Sequence, residues 1–129
     1  MIVGIGIDIV PVSRMERILN SRWADRFVRR VFSPDEIRAC SEAAVPAQSY
    51  SARFAAKEAL AKALGTGFSK GVGPANVSVR GGERSRPEIS LTDKALSIAK
   101  EMNINSIHVS LTHTPESACA FVIVESGPA

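Results

Sequence analysis

A chain of 129 residues with 45% apolar and 22% charged side chains has the size and make-up of one globular domain. No apolar run approaches the 18 residues that a membrane span needs, and aromatics at 5% leave the core to Ala, Val, Ile and Leu. The net charge of +3 is modest, Cys40 and Cys119 are too few for a disulfide scaffold, and Met1–Asp8 lacks the basic start of a secretory signal. A reducing cytoplasm is the expected compartment.

Residues 2–9 alternate and are rich in Ile and Val, which predicts a first strand ending at Asp8-Ile9. Pro11 suits a helix start, and Val12, Met15, Ile18 and Leu19 then recur with helical period. A second short helix is expected over 22–31, with Trp23, Phe27 and Val31 four apart. Ser33-Pro34-Asp35-Glu36 carries a full helix-start signature: a capping hydroxyl, Pro at the first position and acids in the first turn. The longest helix is predicted from Gln48 to Leu64, where strong helix formers run without Gly or Pro until Gly65. Strands at 76–80 and 88–91 form a hairpin around the turn 81–87. Thr92-Asp93 caps a helix to about 102, and strands at 106–112 and 117–124 close the chain. The expected fold is α+β: an antiparallel sheet packed against helices, one of them long and central. Residues 1–125 are read as a single domain and 126–129 as a frayed tail.

The block Arg53 to Gly67 holds most of the chemistry. Glu58 and Lys62 lie i, i+4 on one helical face, and Gly65 and Gly67 are expected to leave backbone N–H groups open beside the Thr66 hydroxyl. A carboxylate, an ammonium and a small-residue turn suit a magnesium-bound phosphate. The plainer alternative for Glu58 and Lys62 is an ordinary surface pair. Asp8 closes an apolar strand, where a carboxylate is costly without a charged partner or a metal; it also suits a cap on the next helix. Gly4-x-Gly6 has no third glycine at dinucleotide spacing. His113 follows Ser110 and Thr112, but no Gly-x-Ser-x-Gly elbow accompanies them, so a hydrolytic triad is poorly supported. Arg14, Arg17, Arg22, Arg26, Arg29 and Arg30 form a basic segment opposed only by Glu16 and Asp25. It is read as a solvated face or as a surface for an acidic partner.

Three segments together resemble the holo-acyl-carrier-protein synthases, the short single-domain phosphopantetheinyl transferases. They are Gly4-Ile5-Gly6-Ile7-Asp8-Ile9-Val10 with Arg14, the block Arg53 to Gly67, and His108-Val109-Ser110-Leu111-Thr112-His113-Thr114. The resemblance runs from Met1 to about Val124. It implies a 4′-phosphopantetheinyl transferase-like fold and a magnesium-dependent transfer of the phosphopantetheine arm of coenzyme A to a serine of apo-acyl carrier protein, in support of fatty acid biosynthesis. It further implies that Asp8 and Glu58 hold magnesium and that Lys62 contacts the transferred phosphate. Arg53, Gly65, Thr66 and His113 would line the coenzyme A site. Arg14, Arg26, Phe27 and Arg30 would receive the acidic carrier protein. A homotrimer with sites between subunits is implied as well, with neither nucleic acid nor membrane as partner. The chain departs from the family at Ala75–Val79, where an acidic run is usual, and at Ser85-Arg86-Pro87, where Gly-Lys-Pro is usual.

Two other classes remain open on the residues alone. A binding module would use the Arg14–Arg30 face, although no aromatic interleaving or nucleic-acid motif accompanies it. A magnesium-dependent phosphohydrolase would use Asp8 and Glu58, but two carboxylates are sparse for a two-metal site.

Overall fold

The computed structural model describes residues 1–82 and 84–128; Glu83, within the expected turn 81–87, and Ala129, at the end of the expected tail, lie outside the described residues. Strand β1 spans Ile2–Pro11 and is followed by helices α1 (Val12–Leu19), α2 (Ala24–Val31), α3 (Pro34–Ser41) and α4 (Pro46–Ala63). A 3₁₀ turn at Pro74–Asn76 leads into β2 (Val77–Arg80) and β3 (Glu88–Leu91), then α5 (Asp93–Glu101), β4 (Ile104–His113) and β5 (Ser117–Ser126). All strand pairing is antiparallel, as expected. It is divided between a three-stranded sheet ordered β1-β5-β4 and a separate β2-β3 hairpin. No helix among the described residues is long and apolar enough to cross a membrane.

Helix α4 is the axis of the molecule. Its 18 residues begin with Pro46, whose fixed φ suits a first helical position, and its seven alanines let neighbours approach closely. Ala55, Ala56, Ala59, Leu60 and Ala63 are buried against Val10, Ala120, Val122 and Val124 of the three-stranded sheet and Val77 and Val79 of the hairpin. A second cluster, Val12, Met15, Val31, Phe32, Cys40 and Tyr50, lies under α1, α2 and α3, and Phe54 packs against both clusters.

Strand β1 alternates as expected but in an unusual sense. Its helix-facing positions are Gly4, Gly6, Asp8 and Val10, whereas Ile5, Ile7 and Ile9 point away from α4 and are 56%, 56% and 64% exposed. Phe121 of the neighbouring β5 joins this outer apolar face. Monomeric proteins seldom leave such a stripe uncovered.

Three local expectations need correction. Thr92 makes no side-chain cap for α5; the Asn76 carboxamide oxygen instead accepts from Ala95 N at 3.4 Å, so the helix start is capped from the 3₁₀ turn. Helix α2 starts at Ala24, leaving Trp23 outside it as an exposed N-cap. Fraying does not begin at Ser126, which is the last residue of β5 and donates from its backbone to Met1 O at 2.8 Å.

Candidate active site

The two glycines of β1 set the depth at which α4 sits. A Cβ on Gly6 would lie 1.8 Å from the Ala59 carbonyl oxygen, and one on Gly4 would lie 2.0 Å from that of Ala63. Only glycine permits this approach, and it brings the flank of α4 down onto the strand. Asp8, two residues beyond Gly6 on the same face, therefore meets the flank that carries Glu58 and Lys62. Lys62 Nζ donates to Asp8 Oδ1 at 3.0 Å and to the Ile7 carbonyl oxygen at 3.1 Å. The plainer alternative for Lys62 was a surface pair with Glu58, one turn earlier on the helix. The ion pair that forms is with Asp8, across the strand–helix junction.

Electrostatics bring Glu58 into the same cluster. Its carboxyl is pushed above the ordinary value of 4.5, first by burial and next by the negative charge of Asp8, while Lys62 and Arg14 pull it back. Lys62 is held above its usual 10.5 by its hydrogen bond to Asp8 and then by that carboxylate's charge. A partly desolvated carboxyl that feels the charge of a second carboxylate marks a site where added positive charge is favourable. No group of three or more His, Cys, Asp or Glu side chains among the described residues suits a metal. Asp8 and Glu58 alone fit a hard divalent ion that keeps waters and substrate oxygens in its remaining positions. They do not fit a closed zinc-type centre.

A second feature lies at the opposite edge of the sheet, against β4. A cavity of about 490 Å³ is lined by Ala43, Gln48, Arg53, Gly82, Leu111 and His113, among others, but by none of Asp8, Glu58 and Lys62. Arg53 is buried there, and its guanidinium donates to Ser49 Oγ at 2.9 Å and to the Gly81 carbonyl oxygen at 3.1 Å. His113 closes β4 and is exposed. Asp8 stands on β1 and His113 on β4, the two outer strands with β5 between them, about 10 Å apart in the sheet direction. Two half-sites thus occur in one chain, at opposite edges of the sheet.

Gly65 and Thr66, anticipated beside Arg53 and His113, lie past the C-terminal end of α4 and do not line this cavity. Their N–H groups are not open either. Gly65 N donates to Lys62 O, and Thr66 N and Gly67 N both donate to Ala61 O, which satisfies the last carbonyls of α4. The positive φ of Gly65 and Gly67 (83° and 58°) serves that reversal. The turn caps a helix rather than cradling an anion.

Of the residues anticipated for partner binding, Arg14, Arg26 and Arg30 are exposed. Phe27 is half-buried: its ring packs 6.1 Å from Phe32 and 6.2 Å from Phe54. Sequence reading missed the pair behind the cluster. Lys57 is fully buried and donates to Glu36 Oε1 at 2.8 Å, to Pro74 O at 3.1 Å and to the Val77 carbonyl oxygen. Glu36 also accepts from Ser33 N at 2.8 Å, as its capping-box partner, and from Val79 N at 2.9 Å. The only sequence signal was a lysine next to Ala55-Ala56 on an alanine-rich helix that packs on both sides.

Fold and site together define a transferase class. The family model of the 4′-phosphopantetheinyl transferase superfamily matches residues 4–122, and the chain belongs to that family. Within it, the chain is 44% identical over 125 residues to a holo-[acyl-carrier-protein] synthase of Syntrophus aciditrophicus, covering 97% of each chain. Its fold is that of the crystal structure of the synthase from Neisseria meningitidis, with a TM-score of 0.85 and 34% identity over 98% of this chain and 100% of that one. The synthase from Helicobacter pylori, solved in complex with coenzyme A, matches with a TM-score of 0.81 and 32% identity over 94% and 99% of the two chains.

Proposed function

We propose that this chain is a holo-[acyl-carrier-protein] synthase, transferring the 4′-phosphopantetheine arm of coenzyme A to a serine of apo-acyl carrier protein and releasing adenosine 3′,5′-bisphosphate. The observation that carries the reading is the meeting of Asp8, Glu58 and Lys62 at the junction of β1 and α4. Names of relatives at 44% identity and the coenzyme A complex of a structural neighbour support it. The compartment is the cytoplasm, the pathway is fatty acid biosynthesis, and one domain spans residues 1–125.

In this reading the serine hydroxyl of the carrier attacks the phosphorus that bears the pantetheine. The phosphorus–oxygen bond to the nucleotide breaks, and the serine proton leaves to base or solvent. A magnesium ion held by Asp8 and Glu58 would supply charge neutralisation across the diphosphate. Lys62 leaves its bond to Asp8 and turns its ammonium to the phosphate oxygens, where negative charge builds in the transition state. Arg53 and His113 line the cavity that takes the anionic nucleotide end of coenzyme A, with Gly65 and Thr66 shaping the helix end beside Lys62. The attacking group belongs to the partner protein, which accounts for a site with no internal nucleophile–base pair.

Two features support an assembly of copies, and a homotrimer is the form we propose. The outer face of Ile5, Ile7, Ile9 and Phe121 is apolar and uncovered. The half-sites on β1 and β4 stand at opposite edges of the sheet, so packing copies around an axis sets the cavity of one subunit against the carboxylates of the next. Sedimentation of a fully active monomer would contradict this.

The test of the activity is direct. Mixing the protein with coenzyme A, magnesium and an apo-carrier protein is expected to raise the carrier's mass by one phosphopantetheine arm. Release of free phosphate without that gain would make the protein a hydrolase, and neither product would leave a binding module.

A further inference from the structure

We propose that Trp23, held by Arg22 at the turn between α1 and α2, is the apolar anchor by which this protein grips an acidic helical carrier domain. The inference rests on the carrier-protein reading given above and adds the residue that sets affinity for that partner.

Trp23 is the chain's single tryptophan, and it is 52% exposed. The side chains of Phe27, Phe32, Tyr50 and Phe54 form a connected run of ring contacts beneath α1, α2 and α3; Trp23 is not part of it. Its indole is covered on one face by the Arg22 guanidinium, 4.6 Å from the ring centroid, a geometry that fixes the ring while leaving the other face to solvent. Arg14 and Arg17 on α1 and Arg26 and Arg30 on α2, the helices either side of this turn, are exposed, and none forms an ion pair among the described residues. Only Arg29 is neutralised, by Asp25 at 3.3 Å. An exposed aromatic side chain stacked on a guanidinium, between two arginine-bearing helices, has the composition of an interface hot spot. The charge excess selects an acidic occupant.

The place in the fold fits a partner that must also reach the catalytic cluster. Arg14, at the start of α1, is close enough to Glu58 to lower its pKa. Helix α1 then runs on the order of 8 Å from Arg14 to Leu19 at 1.5 Å per residue, and the chain reaches Trp23 four residues further on. With the carrier's serine at Asp8 and Glu58, its acids lie along the arginines and an apolar side chain meets the indole. Phe27, expected to meet the same partner, is half-buried with its ring against Phe32 and Phe54, whereas Trp23 is the more exposed of the two.

Being the only tryptophan, Trp23 reports on its own environment. Titrating the wild-type protein with apo-carrier in the absence of coenzyme A is expected to shift its emission to shorter wavelength, saturably, and the shift is expected to weaken with added salt. Steady-state kinetics give the second readout. Trp23→Ala should raise KM for the carrier on the order of 30-fold while KM for coenzyme A and kcat at saturating carrier stay within about twofold. Trp23→Phe should recover most of that loss, and Arg22→Gln should raise the carrier KM by a smaller factor. An emission spectrum unmoved by saturating carrier, or a Trp23→Ala protein with the wild-type carrier KM, overturns the anchor and leaves the transferase intact. Wild-type protein that makes no holo-carrier overturns the transferase reading itself, and the partner assigned to Trp23 falls with it.

Discussion

Helix α4 carries two lysines five residues apart, each paired with a carboxylate from another element, and the structure uses them in opposite ways. Lys57 meets Glu36 in the interior, with side chains 1% and 0% exposed, and two backbone carbonyls complete its bonding. Lys62 meets Asp8 at the surface, with side chains 49% and 17% exposed. Burial pushes the Lys57 ammonium below its usual 10.5 against the pull of Glu36, whereas the Asp8 bond holds Lys62 above it. The same two chemical groups form a structural tie where water is excluded and a movable contact where water can replace either partner. The buried pair ties α3, α4 and β2 together. The exposed pair can open for a substrate.

The largest effect should come from breaking the buried pair. Lys57→Met leaves Glu36 charged, unpaired and enclosed, at a cost of about 3–5 kcal/mol, measurable by urea denaturation. Adding Glu36→Gln should restore part of the loss, because the charge goes while an amide oxygen still accepts a backbone N–H. If Lys57→Met denatures like wild type, the pair is not the tie described.

Lys62→Ala should invert that profile. Its denaturation midpoint stays near wild type, since solvent already screens the contact, while turnover falls on the order of 100-fold. Wild-type turnover would exclude Lys62 from the reaction.

Gly6→Ala probes what brings the site together. Its new methyl would overlap the Ala59 carbonyl, so α4 must move off β1 at a cost of roughly 1–3 kcal/mol. Magnesium dependence should shift to higher concentration in the same variant, because Asp8 and Glu58 part. Unchanged stability and unchanged magnesium dependence would show that the close approach is dispensable.

The smallest effect is a titration. Folded Glu58 holds its proton more tightly than the unfolded chain does, with its value raised above 4.5. Its contribution to stability is therefore present below that pH and lost as pH rises through the folded value. A carboxyl-carbon NMR titration should place Glu58 above the ordinary range. Asp8→Asn should bring it only partway down, because burial is the larger cause and the Asp8 charge the smaller. A complete return to the ordinary value would reverse that ranking.

How much of this was legible in the sequence depended on the range of the interaction. Pro34, Ser33 and Glu36 marked the start of α3 because a capping box is local, and Gly65 marked the end of α4 for the same reason. The strand pairing of β2 with β3 followed from a short connection. The buried Lys57–Glu36 pair was not readable, since its partners are 21 residues apart and nothing local distinguishes Lys57 from a surface lysine. The Lys62–Asp8 contact was not readable, because i, i+4 spacing is visible in a sequence while a strand–helix junction is not. The N–H groups at 65–67 were misread because a glycine-rich turn that caps a helix and one that binds an anion share a composition. The orientation of β1 was hidden as well: Gly4 and Gly6 face the core side, so the apolar residues of an alternating strand point outward.

The central claim is that Asp8 and Glu58 share one divalent ion over a diphosphate. Calorimetric titration of magnesium into the protein saturated with coenzyme A tests it most directly, comparing wild type with Asp8→Asn and Glu58→Gln. The account predicts one ion per site and a loss of more than about tenfold in affinity for either variant, with no comparable further loss when the two are combined. Undiminished magnesium affinity in either single variant would contradict it.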